Sequence, residues 1–286
     1  MPLSASSAFK PPASASLVPR IRTITLTQPM NWLLLAWRDI ALCGWVSWAH
    51  GLVLSLGGLA ITALAYDRFW LLASAFSGFL VVAPILATSL YALSRAVERG
   101  ERVGFQVVWK TWLSWQNGHS SKWGNDYWCL VQFGALLGLA GTGWVLTSAA
   151  LITLMTPVPI STPLDFVQHV ILARNGFLFE LWLAVGGMLA APIFASTAIA
   201  IPLLLDRRVT LLQAVLTSWR AVLANPLPMA LWAALIMGFT LLGLGSALFG
   251  LIAVIPMLGH ASWHAYRDLV DVSGLPECDE FNKEPG

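Results

Sequence analysis

The chain has 286 residues, of which 57% are hydrophobic and only 10% are charged, whereas a soluble domain carries about 25% charged residues. So few charges cannot keep a surface of this size dispersed in water, which excludes a soluble globular protein and makes lipid the solvent. Sixteen Lys and Arg against fourteen Asp and Glu give a net charge of +2, with no concentrated basic patch, which argues against nucleic acid as a partner.

Residues 1–28 are rich in Ser, Ala and Pro and lack the basic start and apolar run of a secretory signal. They are expected to be a disordered cytoplasmic tail. Residues 29–270 follow as a membrane domain, and 271–286 as a cytoplasmic C-terminal tail. Crossing the hydrocarbon takes about 20 apolar residues in a helix, and six such runs appear. The first extends from about Ala41 to Ala65 and the second from about Phe69 to Leu93, joined by the tight Tyr66-Asp67-Arg68 turn. The third covers Trp128 to Met155 and the fourth Phe177 to Leu205, with a Pro-containing connection between them. The stretch from Leu227 to Tyr266 holds no Lys, Arg, Asp or Glu and is long enough for two spans, split near Gly245. The expected fold is therefore an all-α polytopic bundle of six transmembrane helices.

Short loops rich in Lys and Arg stay in the cytoplasm. In the six-span reading, fourteen of the sixteen basic residues fall on one side, leaving Arg68 and Arg174 on the other. This predicts an inner-membrane protein with both termini cytoplasmic. The fifteen tryptophans, eight of them beside predicted cytoplasmic ends, suit the headgroup level.

A pattern recurs before each predicted helix pair, where an amide is followed six residues later by tryptophan: Asn31 with Trp37, Gln106 with Trp112, and Gln213 with Trp219. Each pair lies on an apolar stripe at helical spacing, which predicts amphipathic helices in the cytoplasmic interface, anchored by Trp37, Trp112 and Trp219. The second span of each pair carries a proline, Pro84, Pro192 and Pro256, each a candidate kink. The expected unit is an interfacial helix, a span out and a kinked span back, used three times about an axis along the membrane normal.

Ionisable groups inside a membrane are costly and mark functional candidates. His50 falls well inside the first span, and His260 and His264 share one face of the last by their four-residue spacing. These three imidazoles could ligate a transition metal. Equally, neutral histidines could hydrogen-bond between packed helices. Glu180 stands at the outer edge of the fourth span as a proton carrier or an interfacial residue. Gly134 and Gly138 form a GxxxG helix-contact motif. There is no HExxH, GxSxG, P-loop or dinucleotide fingerprint. No Ser, His and acid set is expected on one side of the membrane, so the chain is expected not to be an enzyme, and no cofactor is expected.

The blocks Pro29-Met-Asn-Trp-Leu-Leu-Leu-Ala-Trp-Arg-Asp39, Ser94-Arg-Ala-Val-Glu-Arg-Gly100, Ala221-Val-Leu-Ala-Asn-Pro226 and Gly259-His-Ala-Ser-Trp-His-Ala-Tyr-Arg-Asp-Leu269 carry a resemblance. In this order, over about residues 20 to 270, they resemble the bacterial integral-membrane family catalogued as domain of unknown function 2189. That resemblance implies a multi-pass inner-membrane protein of Gram-negative bacteria and supplies no site residues. The layout is also similar to that of mitochondrial carriers, but their charged motif after proline is missing, so a carrier-like network of gating salt bridges is not expected. The expected function is a non-enzymatic membrane accessory or scaffold that binds lipid and a protein partner or a second copy. The alternative is a small transporter or channel handling a metal ion, with the prolines as hinges.

Overall fold

The computed structural model describes residues 19–65, 67–117, 128–173 and 177–278, except the side chains of 69–70, 73–74, 76–85, 114–117 and 128–131. It is all-helical apart from one pair of two-residue strands. The chain enters through strand β1 (Arg20–Ile21) and continues into amphipathic helix α1 (Gln28–Cys43), with Pro29 in its first turn. Gly44, at φ +59°, ends α1 and returns its N–H to the Ile40 carbonyl. This left-handed end lets the next helix leave in a new direction. The first apolar span is therefore α2 (Trp45–Ala65), shorter at its start than the sequence suggests. Helix α3 (Phe69–Glu98) runs five residues past its apolar stretch. At 30 residues it is roughly 45 Å long, more than the ~30 Å of hydrocarbon, and its end carries charge.

Helix α4 (Phe105–Asn117) is followed among the described residues by α5 (Trp128–Met155), whose Gly134 and Gly138 are buried. The connection after α5 is not featureless. Thr162 and Asp165 form a capping box for the short α6 (Pro163–Phe166), a π-helical turn follows over Val167–Ile171, and Ile160 and Val170 pack with Ile152 and Leu178. The fourth predicted span is two helices, α7 (Leu178–Thr197) and α8 (Ala200–Asp206). Pro192 lies inside α7, and beyond it Ser196 and Thr197 turn their hydroxyls back onto the Pro192 and Ile193 carbonyls. The ladder breaks at Ile199, whose freed N–H is taken by Ser218 Oγ at 3.1 Å.

Amphipathic α9 (Leu211–Ala224), opened by a Thr210–Gln213 capping box, precedes α10 (Pro226–Gly245) and α11 (Leu251–Leu269). The split between the last two falls at Ser246–Gly250, next to the expected Gly245. Pro256 lies inside α11. Pro84 falls in α3, and its side chain is outside the described residues.

Among the described residues, four apolar stretches are long enough to cross a membrane: α2, α5 from Gln132, the run Leu178–Asp206, and α10. Helix α11 differs in kind. It packs against α1, α2, α3 and α10, and buries His260, Trp263 and Tyr266. The approach of α2 is so close that a Cβ at Gly51 would collide with the Ile252 backbone. After α11, strand β2 (Val270–Asp271) pairs antiparallel with β1, so residues 20–28 and 271–278, read from the sequence as parts of tails, are built into the bundle.

Candidate functional site

A buried chain of polar groups crosses four helices at the end of the bundle where the arginines gather. Asp39, wholly shielded from solvent, sits on α1. Its Oδ2 accepts from Ser94 Oγ of α3 at 2.7 Å and from His264 Nε2 of α11 at 2.8 Å. Because the single Ser94 proton goes to Asp39, its oxygen accepts from His260 Nδ1 at 2.7 Å. His260 Nε2 is left to accept from Ser47 of α2, 2.9 Å away. The line Ser47–His260–Ser94–Asp39–His264 is thus directional. Asp39 Oδ1 is buried without a hydrogen bond, its nearest cation being Arg38 Nη2 at 3.6 Å. Burial opposes ionisation of Asp39, but the His264 and Ser94 bonds outweigh it and hold the carboxyl below the usual range.

This arrangement corrects the expectation that no Ser, His and acid set exists on one side of the bundle. The five residues come from three separate stretches of the chain, 39–47, 94 and 260–264, and Ser47 is wholly buried. The histidines are also placed differently from a common ligand set. His50 donates Nδ1–H to the Val46 carbonyl at 2.7 Å and turns Nε2 to Ser89 Oγ at 2.8 Å. His260 uses both ring nitrogens within the chain, and His264 reaches it only through Asp39. Among the described residues no group of three or more His, Cys, Asp or Glu is arranged to hold a metal ion. Beside His50 lies a largely apolar pocket of about 410 Å³, lined also by Val53, Tyr91, Phe105, Trp112 and Ser262.

The second cluster ties together the ends of α3, α8 and α11. Asp206, at the end of α8, accepts from Tyr266 Oη at 2.7 Å and from Arg207 Nε at 3.1 Å. Arg95 and Arg99 of α3 stand 3.9 and 3.8 Å from its other oxygen. Glu98 joins α3 to α11, pairing with Arg267 at 2.7 Å and accepting from Trp263 Nε1 at 3.0 Å. The sequence lacks the proline-linked motif of a carrier-like gating network, and these interhelical ion pairs are built from other residues.

Around this centre α9 turns its leucines outward, and α1 and α4 leave Leu34, Trp37, Phe105 and Trp109 exposed. On α9, Leu212 and Leu223 are 67% and 70% exposed, while Ala214, Thr217, Ser218 and Ala221 pack inward. Trp37 and Trp219 are exposed, and Trp219 Nε1 donates to Ser196 Oγ at 2.9 Å. Trp112 is partly buried, and its indole N–H has no hydrogen-bond partner. The recurring amides play unlike parts: Gln213 caps α9, whereas Asn31 only bonds Gln28. Asn225 pins the N-terminal segment, accepting from Ile24 N–H at 2.8 Å and donating to the Arg22 carbonyl at 3.0 Å. Asp268 holds α1 through Trp32 Nε1 at 2.7 Å and Gln28 Nε2 at 2.6 Å. Glu180 is exposed in the first turn of α7, where a carboxylate complements the helix dipole.

Asp39, Ser94, Asp206 and Tyr266 were not legible as site residues. One signal could have found the second cluster: Glu98-Arg99, Asp206-Arg207 and Arg267-Asp268 put an acid beside an arginine at the ends of α3, α8 and α11.

No curated protein and no solved structure matches the chain. A family match covers residues 71–206, from α3 through α8, and of the four sequence blocks includes only Ser94–Gly100. With its several apolar helices, the chain is a multi-pass integral membrane protein, and over residues 71–206 it matches the family of unknown function described as predicted integral membrane protein (DUF2189).

Proposed function

We propose that the protein is a six-span inner-membrane accessory or scaffold, without enzymatic activity, with both termini in the cytoplasm. The observation that carries this reading is the interlocking of α3, α8 and α11 through Asp206 and Glu98. That seal joins the three returning helices at one end, where a transporter would need an opening. Supporting it, α11 at 19 residues is roughly 28 Å long and returns from α10 through a short turn, so it crosses as α10 does. Its His, Ser and Arg side chains are tolerated because α1, α2, α3 and α10 surround it. Helix α3 spans on length alone. The order amphipathic helix, span, span then occurs three times, and the outward apolar faces of α1, α4 and α9 hold the cytoplasmic leaflet. A scaffold of this kind offers partners a rigid, Trp-rich surface. Ser47, sealed within the bundle, is read as packing and not as a nucleophile.

Cysteine labelling tests the seal. In a background lacking Cys43, Cys129 and Cys278, single cysteines replace Leu93, Leu203 and Ala265, all fully buried near the seal. In membrane vesicles of either orientation they should resist a membrane-impermeant maleimide, whereas Leu223→Cys serves as a surface control for lipid-soluble reagent. Labelling at the buried sites would instead favour the transporter reading, with the His50, His260 and His264 region at an inner mouth.

A further inference from the structure

The segment after β2 ends over the α3, α8 and α11 convergence, and it brings a carboxylate with it. Glu277 Oε2 lies 2.9 Å from Arg99 Nη2, and Oε1 lies 3.0 Å from Arg207 Nη2. The backbone seats it there: Arg207 and Glu277 form a β-bridge, the Arg208 N–H donates to the Pro276 carbonyl, and the Cys278 N–H donates to the Asp206 carbonyl. Asp206 takes Arg207 Nε at 3.1 Å from below but stands 3.9 and 3.8 Å from Arg95 and Arg99, beyond hydrogen-bond length. Glu101, more than half exposed, lies 4.0 Å from Arg99. Glu277 thus bridges two guanidiniums at hydrogen-bond distance. A two-oxygen anion held between one nitrogen of each of two guanidiniums resembles the way proteins hold phosphate, which adds a further oxygen and more charge. The place is reachable: the Glu277 side chain is 35% exposed and that of Arg99 29%.

We propose that Arg99 and Arg207, backed by Arg95, form a binding site for a phosphate group, in which Glu277 is a tethered occupant that a phosphate-bearing ligand displaces. The site sits where the helices leave the bilayer, so the phosphate can come from an anionic lipid headgroup or from a soluble molecule. The proposal does not depend on whether the protein is a scaffold or a transporter.

The test uses the full-length purified protein as wild type, Glu277→Gln and Glu277→Gln/Arg207→Lys, with folding checked by thermal unfolding. One arm titrates pyrophosphate calorimetrically in detergent. The other counts retained phosphatidylglycerol against phosphatidylcholine by native mass spectrometry. If Glu277 fills the site nine times in ten, removing it raises the apparent affinity by about tenfold. Arg207→Lys keeps the charge but removes the guanidinium nitrogen that meets Glu277, and so should cancel most of that gain. A gain with pyrophosphate assigns a soluble ligand, a gain with phosphatidylglycerol alone assigns a lipid headgroup, and a gain in both supports the shared phosphate chemistry. Equal binding by wild type and Glu277→Gln in both arms overturns the proposal, as does a gain that survives Arg207→Lys.

Discussion

Asp39 shows how much of the buried network rests on a single side chain. It receives Ser94 and His264 on one oxygen and so ties α1 to α3 and α11. Replacing it with alanine leaves those donors buried, at roughly 1–3 kcal/mol each. Asp39→Ala should therefore lower the denaturant midpoint in detergent clearly more than a change at exposed Arg38. The sign of the pH effect follows from the depressed carboxyl. Stability gained by ionised Asp39 is present above the ordinary value of 3.8 and is lost as the pH falls through the lower folded value. The stability gap between wild type and Asp39→Asn should be full at neutral pH and shrink only below about pH 4. A gap unchanged down to pH 3 would contradict this role. Asp39 was illegible because a sequence shows it only as half of a charged pair before an apolar run. Its partners lie 55 and 225 residues away.

Among the elements, α9 is the most instructive. Its helical period is plain in the sequence, and the structure has the helix where the period puts it. The period alone does not say what each face meets. In water the leucine stripe would pack on the protein. Here Leu212, Leu216 and Leu223 point away from it, and the small residues Ala214, Ser218 and Ala221 allow close packing inward. Lipid on the leucine side accounts for this inversion. A spin label at Leu223 in proteoliposomes should be accessible to oxygen and shielded from a water-soluble nickel chelate; the reverse pattern would place α9 in water. Element boundaries were legible where composition changes abruptly, as at Met155 and Gly245. They were missed where backbone chemistry decides, at Gly44 and at the Ile199 break after Pro192, because neither alters hydropathy.

For the whole molecule, composition alone was enough to establish lipid as the solvent, and the apolar runs located the helices. The centre was hidden because it is assembled from chain segments distant in sequence, including stretches first read as tails. The outer helices α2 and α10 are apolar nearly throughout and bury little of their length. The inner α11 carries the histidines and Arg267 because its neighbours screen it from lipid. A hydropathy scan therefore underrates α11 for a physical reason, and the six-span reading counts it as a crossing. The most direct check of that reading is a set of topology reporters fused after Gly100, Arg208 and Gly286 and inserted at Thr162. The account predicts cytoplasmic signals at the first three and a periplasmic signal at Thr162; a periplasmic signal at Gly286 would mean that α11 does not cross and would contradict it.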